Sequence, residues 1–355
     1  MLKIEEDRVN QASVAFCRSF AKAARPKFLL GRNEYARSIT RVVDVNGIID
    51  DFTDQTEFQG KPVVKMKNVP GDGLVVSCVL GRPWTAARAL DALDLNHLDY
   101  FAFARFSGLD IPPVSFWEGF DGDFEKHNDK YHWIYDSLRD EESKDTFSKI
   151  IHFRLYKNVR YMSAFTDRQE DQYFEDLLGL DAAGETFVDV GGYDGATSLE
   201  FAKRCPHYKS IHLFEPDKDN LAVAKERLST YPNVWCYPLG LSDGKRRLTF
   251  KPGGSTAQIS ESGSVAIDVD KMDDVLKEDV SFIKMDVEGG EAAAIAGARR
   301  HILSSCPKLA ICVYHKSDDL WRIPQQVLSM RSDYDLYLRH YTEGVVETVM
   351  FFVPK

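Results

Sequence analysis

Apolar and polar positions along the chain follow three different rhythms. From about residue 27 to 108, short apolar runs alternate with helix-length amphipathic stretches. Phe28-Leu29-Leu30-Gly31 leads into a helical pattern, the run over 42–49 closes on Asp50-Asp51, and Gly73 to Leu80 is almost wholly apolar. Such runs read as strands buried on both faces, and with helices between them they predict a small parallel α/β unit over 1–108. Between 109 and 182 the strand pattern stops; apolar residues recur at helical spacing over 133–154 and again from 171. This zone is predicted to be a helical connector. From 183 to 355 alternation returns, with strands expected at 186–190, 210–215, 234–241, 280–285, 309–314, 334–338 and 346–353. Helices are expected through 205, over 217–230 and over 291–303, with a polar hairpin-like insertion at 245–267. The prediction is a doubly wound α/β sheet of seven strands, which binds ligands beyond the carboxyl ends of its strands where strand order reverses.

Composition narrows the class. A chain of 355 residues, 44% hydrophobic and 28% charged, fits two globular units of ordinary make-up. The formal charge of −10 argues against a broad grip on nucleic acid. No apolar run approaches the length of a membrane span, and the start Met1-Leu2-Lys3-Ile4-Glu5 has no signal-like core. A cytoplasmic protein with no membrane partner is expected. The six cysteines form no C-x-x-C pair, which predicts small buried hydrophobes in a reducing compartment and no structural zinc.

The chemistry concentrates in the third zone. Its first strand ends in Asp189-Val190-Gly191-Gly192-Tyr193-Asp194-Gly195, and twenty residues after Gly195 the second strand ends in Glu215. Glycines permit positive φ and close backbone approach, the following helix presents free N–H groups, and a carboxylate at the second strand end accepts the hydroxyls of a ribose. A dinucleotide and S-adenosylmethionine share that ribose logic. The order D-x-G-G-x-x-G, with Asp194 inside the turn, departs from G-x-G-x-x-G. Acids beside the turn would repel a pyrophosphate and suit a cationic sulfonium and ammonium, so S-adenosyl-L-methionine is the expected cofactor.

Phe187 to Gly195, Phe214-Glu215-Pro216, Leu239 to Asp243 and Ile283 to Glu291 together resemble the FkbM family of methyltransferases. The ending around Tyr314-His315, Asp319 to Pro324 and Leu338 to Tyr341 is similar to one branch of it. The resemblance covers about 130–355, its most specific element being the block from Lys284 to Glu291. At Gly192 the family more often has Ala. The resemblance implies a Rossmann-like methyltransferase domain and O-methylation, commonly of a sugar or polyketide hydroxyl. An acceptor hydroxyl must lose its proton, so a base is expected. Asp286 and His315 are the catalytic candidates, His315 because it ends the fifth strand and its ordinary pKa suits the task, with a satisfied structural histidine as the competing reading. Lys284 and Glu288, which share one face of the fourth strand's end, and His340, which ends the sixth, are candidates for substrate binding. Glu288 and Glu291 also read as helix-start compensation. Asp189, Gly191, Gly192, Gly195 and Glu215 are expected to hold the cofactor, with Ser242 and Asp243 at its adenine. A divalent metal on Asp286 and Glu288 is an alternative, but two acids do not define such a site and no metal is expected.

In the first zone Gly31 and Asp50-Asp51 stand where a nucleotide-binding βαβ would have its turn and ribose acid. This looks like the Rossmann-like units attached to sugar-modifying enzymes. Bulky Arg32 and Asn33 occupy the turn, so a degenerate unit with a substrate-docking or dimerising role, as in a homodimer, is expected. Trp84, Trp117 and Trp133 suit either sugar stacking or a core. The expected function is methyl transfer to a hydroxyl of a sugar or glycan precursor. An NAD-dependent sugar oxidoreductase and a non-catalytic nucleotide-sugar binding protein are the competing readings.

Overall fold

The apolar runs of the first zone form strands β1 (Lys27–Leu30), β2 (Gly47–Ile49), β3 (Glu57–Phe58), β4 (Lys61–Val64), β5 (Leu74–Ser77) and β6 (Asn96–Asp99) in a computed structural model of the chain. The structure describes residues 2–4, 10–22, 24–180, 184–251, 258–259 and 265–355. These six strands make one sheet in the order β3-β4-β2-β1-β5-β6. The pairs from β4 through β6 are parallel, and β3 closes the edge antiparallel to β4. Every residue of β2 and β5 is buried, as strands covered on both faces must be. The helix Glu34–Val42 begins at Asn33, whose side chain accepts from the amide of Ala36. The helix Pro83–Asp91 has Pro at its first position, and the Thr85 amide and hydroxyl both donate to Glu343, a carboxylate placed at the positive end of the helix.

The third zone supplies β7 (Thr186–Val190), β8 (Ser210–Phe214), β9 (Val234–Tyr237), β10 (Gly240–Leu241), β11 (Arg246–Lys251), β12 (Gln258–Ile259), β13 (Val265–Asp270), β14 (Phe282–Met285), β15 (Lys308–Cys312), β16 (Tyr334–His340) and β17 (Thr348–Pro354). Seven of them form a sheet in the order β16-β17-β15-β14-β7-β8-β9. The chain steps from β7 outward to β9, then returns to place β14 on the other side of β7, so strand order reverses between β7 and β14. β17 runs antiparallel to β15, whereas the pairs from β15 to β9 are parallel. The expected insertion is a separate four-stranded sheet, β10-β13-β11-β12, with β11 antiparallel to β13. Residues 252–257 and 260–264 of that expected hairpin lie outside the described residues.

Two expectations are revised. The helix over 291–303 is two helices, Glu291–Gly297 and Arg299–Ser305. The backbone carbonyl of Ser242 crosses so close to Gly297 that a Cβ there would sit 1.9 Å from its oxygen. The helical zone is also not a unit of its own. One unit comprises Met1–Asn128, Asp145–Gln169 and His340–Val346, and the other Asp129–Lys144, Glu170–Arg339 and Glu347–Lys355. A pattern of helical periodicity shows that a face is buried but not against which core. Among the described residues no helix is long and apolar enough to cross a membrane. The six cysteines are free thiols, and Cys17, Cys78, Cys205 and Cys312 are buried.

Replacing Gly297 by Ala is expected to cost about 1–3 kcal/mol through overpacking. Gly122, inside the helix Phe120–Lys126 with nothing within 4 Å of a Cβ, should accept Ala with a gain of about 0.5–1 kcal/mol. Unfolding midpoints of the two variants, measured by circular dichroism, should move in opposite directions.

Candidate active site

The loop after β7 and the end of β14 meet at the point of strand reversal. Gly191 has φ +76°, and a Cβ on it would lie 1.9 Å from the backbone oxygen of Asp286. A Cβ on Gly192 would lie 2.3 Å from Leu213 Cγ, so the Ala more usual there would require this chain to shift. Packing between strands therefore demands both glycines before any ligand is considered. The amides of Gly191 and Gly192 both donate to the carbonyl of Phe214 at the end of β8, and Gly195 (φ +80°) starts the helix Ala196–Arg204.

Glu215 follows directly. Its Oε2 accepts from the amide of Tyr193 at 3.0 Å and its Oε1 from the amide of Asp217 at 2.8 Å. Each oxygen keeps a lone pair for a further donor, which suits a vicinal diol. Burial pushes this carboxyl up to about 7 against the pull of those two amides.

Asp189 and Lys284, expected to hold the cofactor and the substrate, are paired with each other. They are register neighbours on β7 and β14, both buried, with Lys284 Nζ 3.1 Å from Asp189 Oδ1. Ser198 Oγ donates to the other Asp189 oxygen at 2.7 Å, and Lys284 also donates to the Gly191 carbonyl at 2.7 Å. Burial disfavours the ammonium, but Asp189 and Asp286 outweigh it and raise its pKa. The pair braces the loop from inside. Asp194 is likewise neutralised, 2.6 Å from Arg227. The charge contrast expected from the acids around the glycines is therefore largely cancelled within the protein.

The open acids lie one strand over. Asp286 follows β14; its Oδ2 accepts from Tyr173 Oη at 2.9 Å. His315 lies three residues beyond β15, and its Nε2 is 3.4 Å from both Asp286 Oδ1 and Glu288 Oε2. Its Nδ1 is 2.9 Å from Glu291 Oε1. Glu291 also accepts from the amides of Val287 and Gly289, so the turn reading of this residue and its contact with His315 coexist. His315 is not an imidazole at its ordinary pKa. Burial alone would lower it, but Glu291, Asp286 and Glu288 hold it up at about 10, a protonated ring between carboxylates. Burial pushes Glu288 up to about 8, with His315 opposing.

Three residues absent from the sequence-based candidates complete the cluster. Burial raises Glu347 to about 7, with Asp286 adding to the shift, and Gln172 donates to it at 2.5 Å. It precedes β17, whose antiparallel direction brings its first residue to the edge where the parallel strands end. Tyr173 comes from an irregular segment before β7, and Asp319 is buried at the start of the helix Asp319–Met330, accepting from the Lys316 amide. Non-glycine residues with positive φ gather here: Tyr173, Tyr193, Glu288 and Glu347, at 75°, 47°, 52° and 67°. Such strained backbone persists where the surroundings over-determine it, often at sites.

Other candidates stand elsewhere. His340 is buried in the first unit, edge-on to Phe165, and burial with Arg154 nearby lowers its pKa to about 3. Its side chain belongs to that core and not to the acid cluster. Ser242 and Asp243 are bonded to Arg246 at 2.8 and 2.6 Å in a turn after β10. In the first unit Asp50 accepts from Arg32 at 2.5 Å and from the Phe52 amide, and Asp51 from the Met66 amide, so the would-be ribose acids already hold local partners. Trp117 is core, 4.9 and 4.8 Å from Phe101 and Phe153, Trp84 packs against the same cluster, and Trp133 is exposed.

The sheet order defines a doubly wound α/β domain, and the glycine loop and the acid closing β8 lie at its strand reversal, where such sheets bind ligands. Residues 189–341 match the Methyltransferase FkbM domain. The crystal structure of methyltransferase FkbM from Methylobacillus flagellatus superposes with a TM-score of 0.75 at 22% identity, covering 97% of this chain and 99% of that one. The 2-O-methyltransferase NoeI of Sinorhizobium fredii is 22% identical over 146 residues, 34% of this chain. The match spans 60% of that relative's length.

Lys284→Met should leave Asp189 buried without its counter-charge and destabilise the second unit by about 3–5 kcal/mol. The double variant with Asp189→Leu should recover most of that loss, as read by thermal unfolding. A substrate-binding role for Lys284 would instead lower turnover at unchanged stability.

Proposed function

We propose that the second unit transfers the methyl group of S-adenosylmethionine to a hydroxyl of a sugar or glycan precursor. The observation that carries this is the convergence, at one sheet edge, of Glu215 with the glycine loop and of Asp286, Glu288 and His315. The donor set fits the cofactor. Glu215 offers two carboxylate oxygens to a ribose diol, and the loop from Gly191 to Gly195 brings backbone rather than side chains beside it. When bound, S-adenosylmethionine supplies an electrophilic methyl group on a sulfonium.

The protein's part is to orient the acceptor and receive its proton. Tyr173 fixes the Asp286 carboxylate, and Glu291 fixes the His315 ring. A hydroxyl placed beside Asp286 meets an acceptor carboxylate that Tyr173 holds in place, with the protonated His315 ring 3.4 Å from its Oδ1. The 2-O-methyltransferase name of the Sinorhizobium relative supports oxygen as the acceptor atom, and the net charge of −10 favours a small glycan over nucleic acid. In the first unit, the pairing of Asp50 with Arg32 favours a docking or dimerising role over dinucleotide binding.

S-adenosylmethionine at about a hundred times its Kd should stabilise the protein by about 2.7 kcal/mol, raising the melting temperature, and NAD should not. A shift with NAD alone would support the oxidoreductase reading instead. Asp286→Ala should abolish transfer of labelled methyl while cofactor binding persists; unchanged transfer would remove Asp286 from the reaction. Because the Glu215 carboxyl sits at about 7, its acceptor form is lost as pH falls through that value. Cofactor affinity by calorimetry should therefore weaken from pH 8 to pH 6, and Glu215→Gln should flatten the profile.

A further inference from the structure

We propose that Asp286, Glu288 and His315 bind one divalent transition-metal ion that activates the acceptor hydroxyl, an inference that rests on the methyl-transfer reading of the same site. One candidate ligand atom from each of the three residues lies within 4.8 Å of the other two. The imidazole nitrogen is 3.4 Å from each carboxylate oxygen. Metal–ligand bonds of about 2.1 Å put neighbouring ligands ~3.0 Å apart in an octahedral shell and ~3.4 Å apart in a tetrahedral one, so both imidazole–carboxylate separations already suit a shared ion. Those separations are long for a charge-assisted hydrogen bond, which closes to about 2.7–2.9 Å.

Independent features point the same way. Asp286 Oδ1 and Glu288 Oε2 are shielded from solvent and accept no hydrogen bond among the described residues. Such buried acceptors are costly unless something neutralises them. The His315 side chain is 1% exposed, with Nδ1 against Glu291 Oε1 at 2.9 Å. That contact places the ring with Nε2 3.4 Å from each of the two oxygens, as in a carboxylate–histidine–metal arrangement. Glu291 is itself pinned by the amides of Val287 and Gly289, and Asp286 by Tyr173 on its other oxygen. The second group of three, Glu291, His315 and Asp319, is the weaker choice, because the amides already occupy Glu291 and the Lys316 amide occupies Asp319.

The donor set selects the ion. One imidazole and two carboxylates suit manganese, iron or zinc better than magnesium or calcium, which prefer all-oxygen shells. Three protein ligands leave at least one open position, as catalytic sites do. A hydroxyl bound there has its pKa lowered.

The test uses the full-length protein after chelation and gel filtration, titrated with Mn²⁺. Calorimetry should show one ion per chain, and electron spin echo spectroscopy should show nitrogen coupling from one imidazole. Asp286→Asn and Glu288→Gln should each weaken binding at least tenfold, and His315→Gln should remove the nitrogen signal. Glu291→Gln, which touches no ion, should weaken binding by about 10–100-fold as a positioning residue. Zn²⁺ competing for the same site would support the assignment. Absence of Mn²⁺ and Zn²⁺ binding, binding unchanged in the variants, or full methyl transfer in excess chelator would overturn it, the last leaving the methyl-transfer reading standing. Stoichiometric metal binding with no S-adenosylmethionine binding would uphold the ion and overturn its assigned role in methyl transfer.

Discussion

One buried ion pair underlies the rest of the second unit. Lys284 and Asp189 face each other across β14 and β7, the two strands between which the chain reverses direction. Neither charge has solvent to fall back on, so each depends on the other and on the hydroxyl and carbonyls around them. The lysine reaches the carbonyl of Gly191 and ties the glycine loop to the neighbouring strand. It thereby holds the candidate cofactor loop against the strand that leads to Asp286. Gly191 follows from the same constraint, because the carbonyl of Asp286 leaves no room for a Cβ.

Around that brace the charges divide into two groups. Asp189 and Asp194 are matched by Lys284 and Arg227 and serve to hold the loop. Asp286, Glu288, Glu291, Asp319 and Glu347 gather about one histidine, and burial raises Glu288, Asp319 and Glu347 toward neutrality. An excess of buried negative charge is expensive to fold and is kept where a cation or a proton is to be handled. The positive φ of Tyr173, Glu288 and Glu347 is a second cost at the same place. Charge crowding and backbone strain thus coincide at the sheet edge where strand order reverses.

The Gly-rich loop, Glu215 and the block from Lys284 to Glu291 were legible because each depends on local rules. A strand must end before a turn, a turn needs glycine, and alternation places side chains on one face. Those rules located the loop without showing what each charge opposes. Asp189 and Lys284 read as ligand-facing because their partner lies 95 residues away in the chain and directly opposite in the sheet. Asp50 reads as a ribose acid until Arg32 is seen against it. His315 reads as a base of ordinary pKa until Glu291, Asp286 and Glu288 converge on it.

Periodicity and turn chemistry by themselves determined the parallel first unit, the doubly wound second unit and the edge on which a ligand would sit, because strand and helix periods and glycine turns are read off neighbouring residues. The tertiary structure alone decided which acids are neutralised and which stay open, since charge pairing depends on distance in space. It alone brought Glu347 to the site, because an antiparallel last strand begins where its parallel neighbours end. It alone drew His340 into the other core, because helical and strand periods mark a buried face without naming what buries it.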